Sequence, residues 1–235
     1  MIFETRIFIP FERKTSDLVL SEKITYSSFG LIFLCFIILF IFHKFSSPEL
    51  INFLSTTIIT LVFIAIFLRG FLRMFEYENL NGTFDGHFQL DSENIKMNNR
   101  IFELSTISAL KIEILNYKGQ RTNNRKTGPF FYQGISNRIA FESENEPIKI
   151  QFLLLSQEHI DDFYEIIVSI IAKEKIKYTR NLINLIPEKH RKSQEFRNFI
   201  LKLIMEKKLE CTEGLLIHGY SSDEEARQLR AKYCY

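Results

Sequence analysis

Residues able to do chemistry are few in this 235-residue chain, and they lie far apart. The five histidines (His43, His87, His159, His190 and His218) show none of the i, i+3 to i+5 spacings that put two imidazoles on one metal. Cys35 sits inside an apolar run. Cys211 and Cys234 could join His218 only in an incomplete zinc set without a C-x-x-C, and in a reducing cytoplasm they are expected as free thiols. The carboxylate pairs Asp161-Asp162 and Glu224-Glu225 fall at helix starts, where complementing the macrodipole is role enough. Phosphate loops, dinucleotide fingerprints, nucleophile elbows and H-E-x-x-H are all missing from the sequence. The reading is no enzyme, no catalytic residue, no cofactor and no metal.

What remains is chemistry of binding. Tyr117–Gly128 (YKGQRTNNRKTG) carries Lys118, Arg121, Arg125 and Lys126 and no acid, and Pro129-Phe130-Phe131-Tyr132 follows directly. Each cation held near an anionic leaflet contributes about 1 kcal/mol. Phe130 and Phe131 could enter a lipid interface or cover the end of a fold, and the loop could equally be a solvated turn. Lys plus Arg is 30 against 28 for Asp plus Glu, a net charge of +2, so no polybasic surface for nucleic acid is expected.

These residues must be positioned by two kinds of element. Ile24–Phe42 and Leu50–Leu68 are uncharged apolar stretches of 19 residues each. As helices each is about 28 Å long, close to the roughly 30 Å hydrocarbon core. Neither contains Asp, Glu, Lys or Arg, which argues for an anchor and against a proton path or pump. The short connection from His43 to Glu49 makes them a hairpin, with Ser46, Ser47 and Pro48 breaking the helix. Arg6, Arg13, Lys14 and Lys23 precede it, Arg69 and Arg73 close it, and the connection holds only Lys44. The positive-inside rule then predicts a multi-pass protein of the inner (cytoplasmic) membrane with both termini cytoplasmic. A cleaved signal peptide fits poorly, because a polar segment precedes the first apolar run and no A-x-A-like site follows it.

Beyond Tyr77 the pattern turns to short β-rich runs between Asn-Gly, Asp-Gly, Asn-Asn and Lys-Gly turn signals. Strands are predicted at 83–91, 94–97, 100–103, 109–116, 134–143 and 147–154. A helix follows from an N-cap at Ser156, with Ile160, Phe163, Tyr164, Ile167, Ile170 and Ile171 on one face. The runs FQLDSENIKMNNRIFELSTISALKIEI, GISNRIAF and IKIQFLLLSQEHIDDFYEIIVSII resemble the pleckstrin-homology-like (PH-like) domains of small bacterial two-helix membrane proteins, the YcxB-like group among them. That resemblance covers about residues 27–175. It implies an antiparallel β-barrel capped by a C-terminal helix, and it brings no activity. In eukaryotic PH domains a basic loop between the first two strands holds inositol phosphates. Here the basic loop follows the fourth predicted strand, so that site does not carry over.

The fold class expected is thus an α+β membrane protein: a cytoplasmic segment at 1–23, a transmembrane hairpin at 24–72, a PH-like domain at 77–178 and a mostly helical extension at 179–235. In the extension, Phe196, Phe199, Ile200, Leu203 and Ile204 form an apolar stripe, read as packing on the domain or a partner rather than on lipid. Ser222 and Glu225 form an S-x-x-E capping box. The expected role is a membrane-anchored, non-enzymatic binding or scaffold protein that meets a protein partner and anionic lipid, with homo-oligomers compatible. The alternative is a structural subunit of a larger transport, secretion or envelope complex, or an immunity-type protein, whose hairpin makes the specific contact.

Overall fold

The computed structural model describes residues 1–12, 18–42, 47–122 and 128–234. In chain order the elements are β1 (Phe3–Pro10), α1 (Leu20–Phe42), α2 (Pro48–Arg73), β2 (Gly82–Leu90), β3 (Asn94–Met97), β4 (Arg100–Glu103), a 3-10 turn (Leu104–Thr106), β5 (Ile107–Glu113), β6 (Lys118–Arg121), β7 (Phe131–Gln133), β8 (Asn137–Ser143), β9 (Glu146–Phe152), α3 (Gln157–Ala172), α4 (Asn181–Asn184), α5 (Glu188–Arg191), α6 (Gln194–Met205), α7 (Cys211–His218) and α8 (Asp223–Tyr233). They form two compact units. One holds Met1–Ile9, Phe84–Tyr117 and Ile135–Tyr235, and the other holds Pro10–Thr83 and Lys118–Gly134.

The first unit is built on a seven-stranded sheet of order β4-β3-β2-β1-β9-β8-β5. Every pairing whose register is defined is antiparallel. The β8–β9 hairpin turns through Glu144 and Asn145, both at positive φ (53° and 66°), as a two-residue turn matching the strand twist requires. The sequence expectation of a barrel meets a sheet that does not close, because β4 and β5 lie at opposite ends of the strand order. Between them the chain makes the 3-10 turn, and β5 carries a bulge with Ala109 at φ 52°.

Three strands, β1, β6 and β7, fall outside the segments that the sequence predicts, and β1 is central to the large sheet. Phe3, Thr5 and Ile7 alternate with exposed Glu4 and Arg6, so one face of the strand enters the core. Phe3 is 2% exposed, with its ring centroid 5.1 Å from that of Phe163 and 6.1 Å from that of Phe88. The hydroxyl of Thr5 donates to the Leu153 carbonyl, and the Leu153 N–H donates to the Arg6 carbonyl at 3.1 Å. On the opposite face Phe8 packs with Phe84, Ile135 and Leu153.

Amphipathic α3 covers the sheet with Phe163, Ile166, Ile167, Ile170 and Ile171. Its N-cap is Ser156, whose hydroxyl accepts the His159 N–H at 3.1 Å. The extension joins the same core. In α6, Phe196, Phe199, Ile200, Leu203 and Ile204 are buried, and the helix packs on α3. Gly214 lets α7 approach α6, since a Cβ there would lie 2.5 Å from Ile204 Cγ1. Ser222 caps α8 by accepting the Glu225 N–H, while the Glu225 carboxylate accepts the Ser221 N–H. One expectation is corrected: Cys211 and Cys234 are not free thiols but a disulfide with a Cα–Cα distance of 5.6 Å, which leaves no thiolate for a zinc set with His218. The turn between α7 and α8 brings the first residue of one helix beside the C-cap of the other, a proximity that 23 residues of separation conceal.

In the second unit α1 and α2 pack together. Both are long and apolar enough to cross a membrane, over 22 residues at Leu20–Ile41 and 23 at Ile51–Arg73. Their apolar windows are 0% and 6% buried, unlike the core helix of a soluble protein, so the protein leaves these surfaces for an apolar surrounding. Thr25, Ser28, Ser55, Thr56, Thr57 and Thr60 each donate to the carbonyl four residues back, which satisfies their hydroxyls within the helix.

Candidate functional site: a basic hairpin fastened to the helix ends

Four of the six residues expected at a contact surface fall on one small hairpin. Lys118 and Arg121 lie on β6, Phe131 lies on β7 and Phe130 immediately precedes it; Arg125 and Lys126 lie outside the described residues. The two strands pair Lys118 with Gln133 and Arg121 with Phe131. Beyond them the Thr122 N–H donates to the Phe130 carbonyl at 2.8 Å and the Thr122 hydroxyl to the Pro129 carbonyl at 2.8 Å. This hairpin stands apart from the seven-stranded sheet and belongs to the same unit as the two apolar helices.

What fastens it is the chain leaving α2. The Glu76 carbonyl accepts the N–H groups of Phe130 (3.2 Å) and Phe131 (3.1 Å), and the Phe131 carbonyl accepts the Glu78 N–H at 2.9 Å. The Gln133 amide donates to the Glu78 carbonyl at 2.9 Å. Arg73, the last residue of α2, donates through Nε to the Gly128 carbonyl and lies 5.1 Å over the Phe130 ring, while Tyr77 and Phe131 pack at 5.4 Å. Burial pushes the Glu78 carboxyl up from its ordinary value, partly offset by the Gln133 N–H. The rings of Phe130 and Phe131 are therefore half-buried against the helix exit, whereas Lys118 and Arg121 are exposed.

The other helix end is held by the same segment. The Glu76 carboxylate accepts the Ser21 N–H at 2.6 Å and the Ser21 hydroxyl, so an anion sits at the N-terminus of α1, where free N–H groups and the macrodipole favour it. The start of α1, the end of α2 and the basic hairpin are thus tied through three consecutive residues, Glu76 to Glu78. Sequence reasoning missed Arg73, Glu76, Glu78 and Gln133 because the partners are 55 residues apart. The available signal was the Arg-x-x-Glu-x-Glu run closing an apolar span.

A second candidate fares less well. A polar cleft of about 620 Å³ in the first unit is lined by Glu165, Ser169, Lys173, Lys189, His190 and Glu195 among others. Its charges answer one another or neighbouring acids: Lys173 with Glu195 at 3.7 Å, and Lys189 and His190 with Asp161 at 2.5 and 3.3 Å. Beside it Tyr164, its ring tilted against His190 with centroids 5.1 Å apart, is pushed up to about 12 by burial and stays a neutral phenol. Asp161, expected to serve only a helix start, is instead the acid that pins α5 to α3. Among the described residues no group of three or more His, Cys, Asp or Glu is placed to hold a metal ion. Comparison with protein-family models, curated proteins and solved structures finds no match to this chain.

Proposed function

We propose that this chain is a non-enzymatic membrane-anchored binding module, in which a two-helix anchor holds an α+β domain at the cytoplasmic face. There the basic hairpin reads anionic lipid and the domain offers its surface to a protein partner. The observation that carries it is the fastening of β6–β7 to the end of α2. Lys118 and Arg121 pair with the strand that is bonded to Glu76 and Glu78, just past the end of α2, where a leaflet's headgroups lie if that helix spans the bilayer. Two facts support a hairpin with both ends on one side. Neighbouring strands β1 and β2 flank the apolar helices in sequence, one before and one after, and the Phe11 N–H donates to the Asn81 carbonyl at 2.9 Å where the two connections leave them. The Lys/Arg bias selects the cytoplasmic side.

The sheet order and the helix after its last strand also support a PH-like arrangement, with the open β4 and β5 edges as its departure. In that arrangement β1 is the first strand, the anchor occupies the connection between first and second strands, and the basic hairpin follows the fifth. The test is reconstitution of the full chain in nanodiscs of neutral lipid or lipid with one-third phosphatidylglycerol. Hydrogen exchange at residues 118–133 should slow in the anionic discs and lose that difference in Lys118→Glu/Arg121→Glu. Equal exchange in both lipids would remove the lipid role.

A further inference from the structure

We infer that the Cys211–Cys234 disulfide is a redox latch that holds α8 on the domain, so that a dithiol reductant releases the C-terminal helix. The inference rests on the cytoplasmic placement above, where reducing thiols are abundant.

The helix α8 is held weakly apart from that bond. None of its eleven residues is buried. Leu229 and Tyr233 touch the core only in part, and the side-chain hydrogen bond that α8 makes to α7 is a 3.4 Å contact from Arg230 to Thr212. Between the two helices lies a groove of about 210 Å³ over Leu215, Leu216 and Tyr220, with Ala226, Arg227 and Arg230 as its other wall. Cys211 opens α7 and Cys234 is the C-cap of α8, so the bond ties the far end of α8 back to the base of α7. Both cysteines are partly buried against the core, neither fully enclosed. A helix this short is marginal in water without tertiary contacts, so undocking and unfolding should be one event.

The chemistry is ordinary thiol–disulfide exchange. A thiolate of the reductant attacks one cysteine sulfur, the S–S bond breaks, and the electron pair leaves on the other sulfur, which takes a proton. The reductant's second thiol then displaces the first cysteine from the mixed disulfide. Two electrons and two protons pass to Cys211 and Cys234, and the reductant departs as its own disulfide. Closing a 23-residue separation favours the closed chain by up to roughly three-hundredfold through chain entropy. Losing it uncovers Leu215, which is buried in the docked state, beside Leu216, which is already exposed.

The experiment is hydrogen exchange of the purified full chain in detergent, with and without dithiothreitol, beside thiol trapping in intact cells. Amides of residues 227–233 should lose at least about tenfold of their protection on reduction while those of α3 keep theirs. Cys234→Ser and, independently, Cys211→Ser should exchange like the reduced chain without any reductant. Unchanged protection of α8 in the reduced chain overturns the latch whichever side of the membrane it faces. Thiols that cycle with the cell's redox state support it. A bond that stays closed in cells under reducing stress, although α8 opens in detergent, overturns the regulation and separately counts against the cytoplasmic placement.

Discussion

Phe3→Ala tests whether the strand before the two apolar helices completes the sheet that follows them. The Phe3 ring is 2% exposed and sits among Phe88, Phe152, Phe163 and His159, with ring centroids 6.1, 6.3, 5.1 and 4.5 Å away. Burying such a side chain contributes about 1.5–3 kcal/mol by transfer alone. The cavity left by a ring that four aromatic neighbours cannot collapse into brings a Phe-to-Ala change to about 3–5 kcal/mol. Against a domain stability of about 5–15 kcal/mol this is a large fraction. At about 2–4 °C per kcal/mol the melting midpoint should fall by about 6–20 °C. Ile9→Ala, on the same strand but 43% exposed, is the control and should cost under about 1 kcal/mol. Because the chain has no Trp, the assay is urea unfolding of the full chain in detergent, followed by far-UV circular dichroism and pulsed exchange of β8 and β9. Equal effects of the two substitutions, or a Phe3→Ala cost below about 1 kcal/mol, would refute the placement of β1. The same logic predicts that a fragment starting at residue 77, the natural soluble cut by hydropathy, loses the central strand and aggregates. A peptide of residues 1–12 added in trans should restore it.

Other outcomes follow from the same contacts. Glu76→Ala removes the carboxylate that accepts from Ser21 at the start of α1 and should cost about 0.5–2 kcal/mol, read as faster exchange in the first turn of α1; Glu76→Gln should retain part of the effect. Burial holds the His159 imidazole below its ordinary pKa, partly offset by its contact with the Glu4 carbonyl, so the unfolded chain binds the proton more readily. Stability present above about pH 6.5 is therefore lost as pH falls through the depressed folded value, and His159→Gln should flatten that slope. Gly214→Leu forces a side chain into Ile204 and should destabilise the α6–α7 pair by about 1–3 kcal/mol in a urea titration. At Gly86, where φ is 87° and a Cβ would meet Asn98 Oδ1 at 1.6 Å, even Ala should shift the β2–β3 hairpin, seen as altered amide shifts at His87 and Asn98.

Much of the architecture was legible because it rests on local chemistry. Two uninterrupted apolar stretches define α1 and α2, each long and apolar enough to cross a membrane. The Asn-Asn turn, the hydroxyl caps at Ser156 and Ser222 and the stripe from Phe196 to Ile204 specify hairpins and helices within a few residues of themselves. What required the tertiary structure was pairing across distance. The eight residues of β1, which precede the apolar helices, cannot announce that Ile7 will face Phe152. Lys118 and Arg121 advertise a cationic loop by composition, yet only the bonds from Arg73, Glu76 and Glu78 place it at the end of α2 rather than on the sheet. Cys211 and Cys234 read as separate thiols until the turn between α7 and α8 brings them together. Sequence alone determines what each segment prefers over a few turns, because propensity, capping and hydropathy act through neighbours. Which distant segments share a sheet, a clamp or a disulfide is decided only when burial of the whole chain is settled at once.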